Sequence, residues 1–336
     1  MSTSYYKGDG SGYRSPTTVS LPVSRRSNLL NAGNYIADSG LKDACNVALL
    51  LGQPLLLTGE PGTGKTQFAY SLAWELGFEE PLKFETKSDS AARDLFYTYD
   101  ALKRFQDGQS GLKASNVLDY INYQALGLAI LRSRKNTEIK HLLPANFSTS
   151  EPRRSVVLID EVDKAPRDFS NDLLNELDQL YFRISELGNA KVEVDPVLQP
   201  VVIITSNSEK DLPDAFLRRC IYYHIPFPNP DRLANIVSGH LGQNIDINDT
   251  FLQTALELFY RFRAPENGLR KKPATAELLG WIIALQQVSS SKQNPLEDPA
   301  VVFKTWSSLI KTAEDRSKAK VIVERWIEDL KRKQNG

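Results

Sequence analysis

The chain has 336 residues, 41% of them hydrophobic, and Lys+Arg and Asp+Glu both number 41, so the formal net charge is zero. That length buries a real core and predicts two domains, while the balanced charge excludes a global field that would draw the protein to nucleic acid or acidic lipid. Cys45 and Cys220 fit neither a C-x-x-C pair nor a disulfide framework, which predicts a reducing, cytoplasmic setting, and the scattered His141, His224 and His240 predict no His/Cys metal cluster.

Residues 1–33 are expected to form a disordered arm, polar and rich in Gly and Ser, without an apolar signal core. No stretch approaches the ~18 apolar residues of a spanning helix, so no membrane partner is expected. From Tyr35 the composition changes. Asp38-Ser39-Gly40 predicts a helix start, residues 41–51 an apolar helix, and Gly52 its end.

Leu55-Leu56-Leu57-Thr58 has strand length and runs into Gly59-Glu60-Pro61-Gly62-Thr63-Gly64-Lys65-Thr66, which fits G-x-x-x-x-G-K-[ST] at every required position. The glycines let successive backbone N–H groups turn toward one anion. Lys65 adds a point charge for the outer phosphates, and the Thr66 hydroxyl can ligate Mg2+. Residues 67–76 read as a helix closed by Gly77, which sets the loop at a helix N-terminus where the dipole favours an anion.

Residues 82–86 read as a second strand and residues 89–105 as an amphipathic helix; a Gly-rich break at 107–111 and a helix over 116–131 follow. Arg132-Ser133-Arg134-Lys135 and Arg153-Arg154 bracket a polar loop around Pro144. Val156-Val157-Leu158-Ile159 is the apolar run of a strand buried on both faces, and it ends in Asp160-Glu161. In a P-loop fold this is the Walker B arrangement: Asp160 holds Mg2+ through its water shell, and Glu161 polarises the water that attacks the γ-phosphate.

Residues 168–180 predict an amphipathic helix, and 183–194 a β-hairpin turning at Gly188. Val201–Thr205 is another buried strand and leads to Asn207, which by spacing alone is either a γ-phosphate or water contact or a turn residue. A short helix over 212–217 precedes Arg218-Arg219, and 220–225 reads as a last strand. Pro226, Pro228 and Pro230 mark the expected boundary between domains 34–226 and 227–336. Beyond it four helices are expected, over 231–240, 249–263, 275–288 and 298–327, with Trp281 and Trp306 as core.

Taken together, GEPGTGKT at 59–66, VVLIDEVDKAPRD at 156–168, TSN at 205–207 and LPDAFLRRC at 212–220 resemble the MoxR branch of the AAA+ ATPases over roughly residues 35–327. The resemblance implies a P-loop NTPase αβα sandwich with a parallel sheet, then a small all-helical lid. It also implies a homo-oligomeric, usually hexameric, ring that hydrolyses ATP to remodel protein partners, often ones containing a von Willebrand A domain. It makes Asn207 sensor 1, Arg219 the arginine finger with Arg218 as its competitor, and 183–194 the hairpin insertion before sensor 1. One position departs: Ala276 stands where a sensor 2 arginine is expected, so either Lys271 or Lys272 substitutes or the contact is missing. The alternative function is an AAA+ motor on nucleic acid, which would rest on the two basic clusters.

Overall fold

The computed structural model describes residues 31–109, 116–144, 147, 151–208, 212–241, 247, 249–288 and 294–335. Most of the expected disordered arm lies outside them. The chain forms two compact units: one is Tyr35–Phe227, and the other contains the chain from Pro228 onward together with the short turn Ala32–Asn34.

The first unit contains nine strands among the described residues: β1 (Leu55–Thr58), β2 (Leu82–Glu85), β3 (Tyr97–Tyr99), β4 (Ile121–Tyr123), β5 (Val156–Asp160), β6 (Tyr181–Ile184), β7 (Ala190–Glu193), β8 (Val201–Thr205) and β9 (Ile221–His224). Five make one parallel sheet in the order β2-β5-β8-β1-β9. Alternation along each strand splits their side chains between two cores. Leu55, Leu57, Val156, Leu158 and Ile203 pack with helices Ser39–Leu51 and Lys65–Glu75 on one face. Leu56, Val157, Ile159, Val202 and Ile204 pack with helices Ala125–Ser133 and Arg167–Gln179 on the other. This is the expected αβα sandwich. The first helix has the start and stop its sequence indicates: Asp38 accepts from Leu41 N at 2.8 Å, and Gly52 closes it at φ 64°.

Two expected helices are corrected. Residues 89–105 form a 3-10 turn, Ala92–Leu95, then β3 and the short helix Ala101–Gln109. Residues 116–131 form a second 3-10 turn, Val117–Tyr120, then β4 and helix Ala125–Ser133. Tyr97-Thr98-Tyr99 and Ile121-Asn122-Tyr123 pair as an antiparallel ribbon, and their aromatic and β-branched side chains suit a pleated surface better than the helix period they interrupt. The expected polar loop around Pro144 is in part core, since Ile139, Leu142 and Leu143 are buried there, as are Leu126 and Ile130 in the preceding helix Ala125–Ser133. That helix lies so close to the end of the turn Ala92–Leu95 that a Cβ on Gly127 would stand 2.0 Å from the Phe96 carbonyl oxygen. Three side chains of the basic clusters are ion-paired at the surface: Arg132 and Arg153 share Glu79 at 3.2 and 2.9 Å, and Arg134 meets Glu138 at 2.7 Å.

In the second unit, helices Pro230–Leu241, Thr250–Arg263 and Thr275–Val288 match the expected positions. The single helix expected over 298–327 is instead two, Pro299–Thr305 and Ala313–Asn335, separated by the 3-10 turn Trp306–Ser308. The break lets Trp306 meet Phe303 edge to face at 5.0 Å, and Thr312 accepts from Asp315 N at 3.1 Å to start the second helix. Trp281 is fully buried and its Nε1 donates to Thr305 Oγ1 at 3.0 Å, so it is core, as is Trp306. Lys271 and Lys272 precede helix Thr275–Val288, with Lys271 N donating to the buried carboxylate of Asp315 at 3.0 Å.

Candidate nucleotide site

The strand order decides what meets what. Parallel strands deliver their C-terminal ends to one rim of the sheet, where ligands of open α/β folds bind. Because β8 lies between β5 and β1, the residues past β8 stand between the loop after β1 and the carboxylates that end β5.

The loop Gly59–Thr66 turns through three glycines with positive φ, 143° at Gly59, 79° at Gly62 and 92° at Gly64. Gly59 is also fixed by space: a Cβ there would stand 2.6 Å from the Ile225 carbonyl oxygen. Thr63 Oγ1 donates to Glu60 O at 2.9 Å and braces the turn. Lys65 is buried, and its Nζ donates to Gly59 O at 2.8 Å, Glu60 O at 3.1 Å and Asn207 Oδ1 at 3.0 Å. Burial pulls the ammonium below its ordinary pKa, against the upward pull of Asp163, Asp160 and Glu161.

Asp160 and Glu161 are adjacent in sequence and would point to opposite faces of a regular strand. A left-handed kink at Glu161, φ 59° and ψ 52°, ends β5 and brings both carboxylates to the rim. Such a conformation costs a non-glycine residue energy that surrounding contacts must offset. Thr205 supplies two of them. Its hydroxyl accepts from Glu161 N at 2.9 Å and donates to Asp160 Oδ1 at 2.6 Å. Thr66 Oγ1 donates to the same oxygen at 2.9 Å, and Lys83 Nζ lies 3.0 Å from Asp160 Oδ2. Burial raises the Asp160 pKa, but the hydrogen bonds from Thr205, Lys83 and Thr66 outweigh it and hold the carboxyl below its ordinary range. Glu161 pairs with Lys164 through Oε2 and accepts from Asn207 Nδ2 through Oε1 at 3.3 Å. Asn207 is itself positioned by Asp163, whose carboxylate accepts from Asn207 N at 3.0 Å.

The structure thus brings Lys65, Thr66, Asp160, Glu161 and Asn207 into one hydrogen-bonded cluster beside the glycine loop. Arg219 is not in it. The arginine follows the one-turn helix Asp214–Leu217, is half exposed, and lies 3.7 Å from Asp178. Among the described residues no arginine is hydrogen-bonded or ion-paired to Lys65, Asp160, Glu161 or Asn207. Sequence reasoning missed Lys83, Thr205, Asp163 and Lys164. Asp163 and Lys164 sit inside the VVLIDEVDKAPRD motif and Thr205 opens TSN, so these three were legible as parts of motifs, whereas nothing local marks Lys83.

Thr66 and Asp160 offer two hard oxygen donors 2.9 Å apart, the chemistry that Mg2+ prefers. With a glycine loop of the kind that cradles an anion and a carboxylate hydrogen-bonded to an amide, the arrangement is chemically suited to phosphoryl transfer to water. Elsewhere in this unit both thiols are inert, burial pushing Cys45 up to about 11 and Cys220 up to about 12. No described helix is long and apolar enough to cross a membrane.

A family model described as "ATPase family associated with various cellular activities (AAA)" matches residues 55–229. No curated protein matches the chain. Among solved structures, the FIGL-1 AAA domain in complex with ADP is similar at 17% identity, with 74% of this chain and 70% of that chain covered and a TM-score of 0.40. Thermotoga maritima RuvB is similar at 16% identity, with coverage of 80% and 66% and a TM-score of 0.42.

Proposed function

The chain belongs to the AAA family of ATPases, whose model spans more than half of it, and from that premise we propose a MoxR-like member that forms a homo-oligomeric, hexameric ring and remodels protein partners. Proteins with a von Willebrand A domain are the partner class we propose, and the cytoplasm the compartment. In this reading Gly59–Thr66 cradle the ATP phosphates, Lys65 meets the outer ones, and Glu161 orients and polarises the attacking water. Thr66 and Asp160 would hold Mg2+, which when bound neutralises charge on the phosphate oxygens.

The observation that carries the reading is the bridge made by Asn207. Its amide oxygen accepts from Lys65 at 3.0 Å while its nitrogen donates to Glu161 at 3.3 Å. One side chain therefore joins the phosphate-binding lysine to the carboxylate, which is the link a sensor 1 residue needs. The basic clusters lend the nucleic-acid motor less support than their sequence suggests, since Arg132 and Arg153 pair with Glu79 and Arg134 with Glu138.

Ring assembly rests on Arg219. Among the described residues the cluster holds no arginine, and the ion pair that Arg219 makes with Asp178 is exposed and long. A neighbouring subunit would present it to the transferred phosphoryl group, a contribution of about 10³–10⁵ in kcat where trans fingers operate. Arg219→Ala should therefore bind ATP and scarcely hydrolyse it. An Arg219→Ala subunit keeps an intact site and a Lys65→Ala subunit an intact finger, so mixing the two inactive proteins should restore turnover. No recovery from proven mixed rings would sink the trans assignment, and recovery only with Arg218→Ala in its place would move the finger by one residue.

A further inference from the structure

Lys83 and Glu85 lie on β2, the edge strand of the sheet, with Phe84 between them turned into the opposite core, where it stacks on Phe169 at 6.4 Å. Alternation puts both charged side chains on the face that carries Asp160. Lys83 Nζ is shared between two carboxylates, 2.7 Å from Glu85 Oε1 and 3.0 Å from Asp160 Oδ2. The Thr66 and Thr205 hydroxyls both donate to Asp160 Oδ1, so the lysine sits on the oxygen that no hydroxyl holds.

We propose that Lys83 is the resident counter-ion of Asp160 and competes with the incoming divalent cation for it, and that Glu85 takes the lysine when the metal binds. The proposal rests on Thr66 and Asp160 being the metal-holding pair. Two cations at one carboxylate repel each other, and the Asp160 side chain is only 10% exposed, so water screens that repulsion poorly. The Glu85 side chain is 71% exposed and already within hydrogen-bond reach, so a small swing of the flexible lysine stem moves its charge toward solvent without leaving it unpaired. Lys83 is thus a positioning residue: it keeps a buried carboxylate neutralised and oriented between nucleotide-binding events, and it sets how much metal the site needs.

The test is an equilibrium titration of Mg2+ into full-length protein stripped with EDTA, at a fixed concentration of a fluorescent ADP analogue, with bound nucleotide read by anisotropy. Lys83→Met should lower the half-saturating Mg2+ by roughly tenfold while leaving metal-free nucleotide affinity near the wild-type value. Glu85→Gln should raise it, because the displaced lysine loses its second seat. The double variant should behave as Lys83→Met, and Lys83→Arg, which keeps the cation, should restore the wild-type requirement. An unchanged or higher Mg2+ requirement in Lys83→Met would overturn the proposal, as would a Glu85→Gln effect that persists without the lysine. Wild-type protein whose nucleotide binding ignores Mg2+ would overturn the metal pair itself, which is a separate failure.

Discussion

Thr205 connects the two carboxylates through a single fully buried hydroxyl, accepting from the strained Glu161 backbone and donating to Asp160. Thr205→Val keeps the shape and removes both bonds, leaving a backbone N–H without its partner. The expected cost is about 1–3 kcal/mol of stability, with a fall in ATP turnover as Glu161 loses its fixed direction. The pH dependence has a definite sign. Asp160 is depressed below its ordinary value, so its contribution is present above the unfolded pKa, near ~4, and is lost as pH falls through the folded value. Denaturant curves for wild type and Thr205→Val should therefore differ most at neutral pH and draw together in acid, without merging, because the unpaired Glu161 N–H does not titrate. A gap that widens in acid would contradict this. The phosphate loop, Asp160, Glu161 and Asn207 were legible in the sequence because local spacing at the ends of apolar strands marks them. Lys83 was not, and Thr205 was marked by TSN without its partners, since a threonine or lysine in a strand takes on such a role only when the sheet sets another strand beside it.

At the scale of elements, the hairpin β6–β7 was legible from its turn, and packed rings anchor its base. Phe182 is buried and stacks on Phe96 at 5.2 Å, with Tyr97 and Tyr123 at 6.1 and 6.3 Å. Tyr97 also donates to Glu186 and accepts from Ser185 N near the hairpin tip. The hairpin and the β3–β4 ribbon therefore form one aromatic-cored body beside the sheet. Phe182→Ala should cost about 3–5 kcal/mol in denaturant unfolding, whereas Leu187→Ala, partly exposed at the tip, should cost far less. Equal costs would show that the ribbon does not depend on its rings. The same body explains what the sequence concealed. The windows 89–105 and 116–131 contain enough helix formers to mimic a helical period, yet their strands are three residues each and pair across a connection too long for a local turn signal.

For the whole molecule, the parallel sheet and the helical C-terminal unit follow from buried apolar runs and from Pro and Gly punctuation, both readable in one dimension. The break at 306–312 did not show, because it depends on Trp306 turning inward to Phe303. Ring formation and remodelling rest on the premise that the cluster at the sheet's rim binds ATP and activates water. Lys65→Ala and Glu161→Gln, compared side by side for ATP binding and for steady-state hydrolysis, test that premise most directly. In the proposed roles Lys65 contacts phosphates in the ground state and Glu161 acts on the attacking water, so the loss of Glu161 should fall on kcat. Lys65→Ala should lose tight ATP binding, and Glu161→Gln should bind ATP as wild type does while its hydrolysis disappears. Equal loss of nucleotide affinity in both, or wild-type turnover in Glu161→Gln, would contradict the assignment.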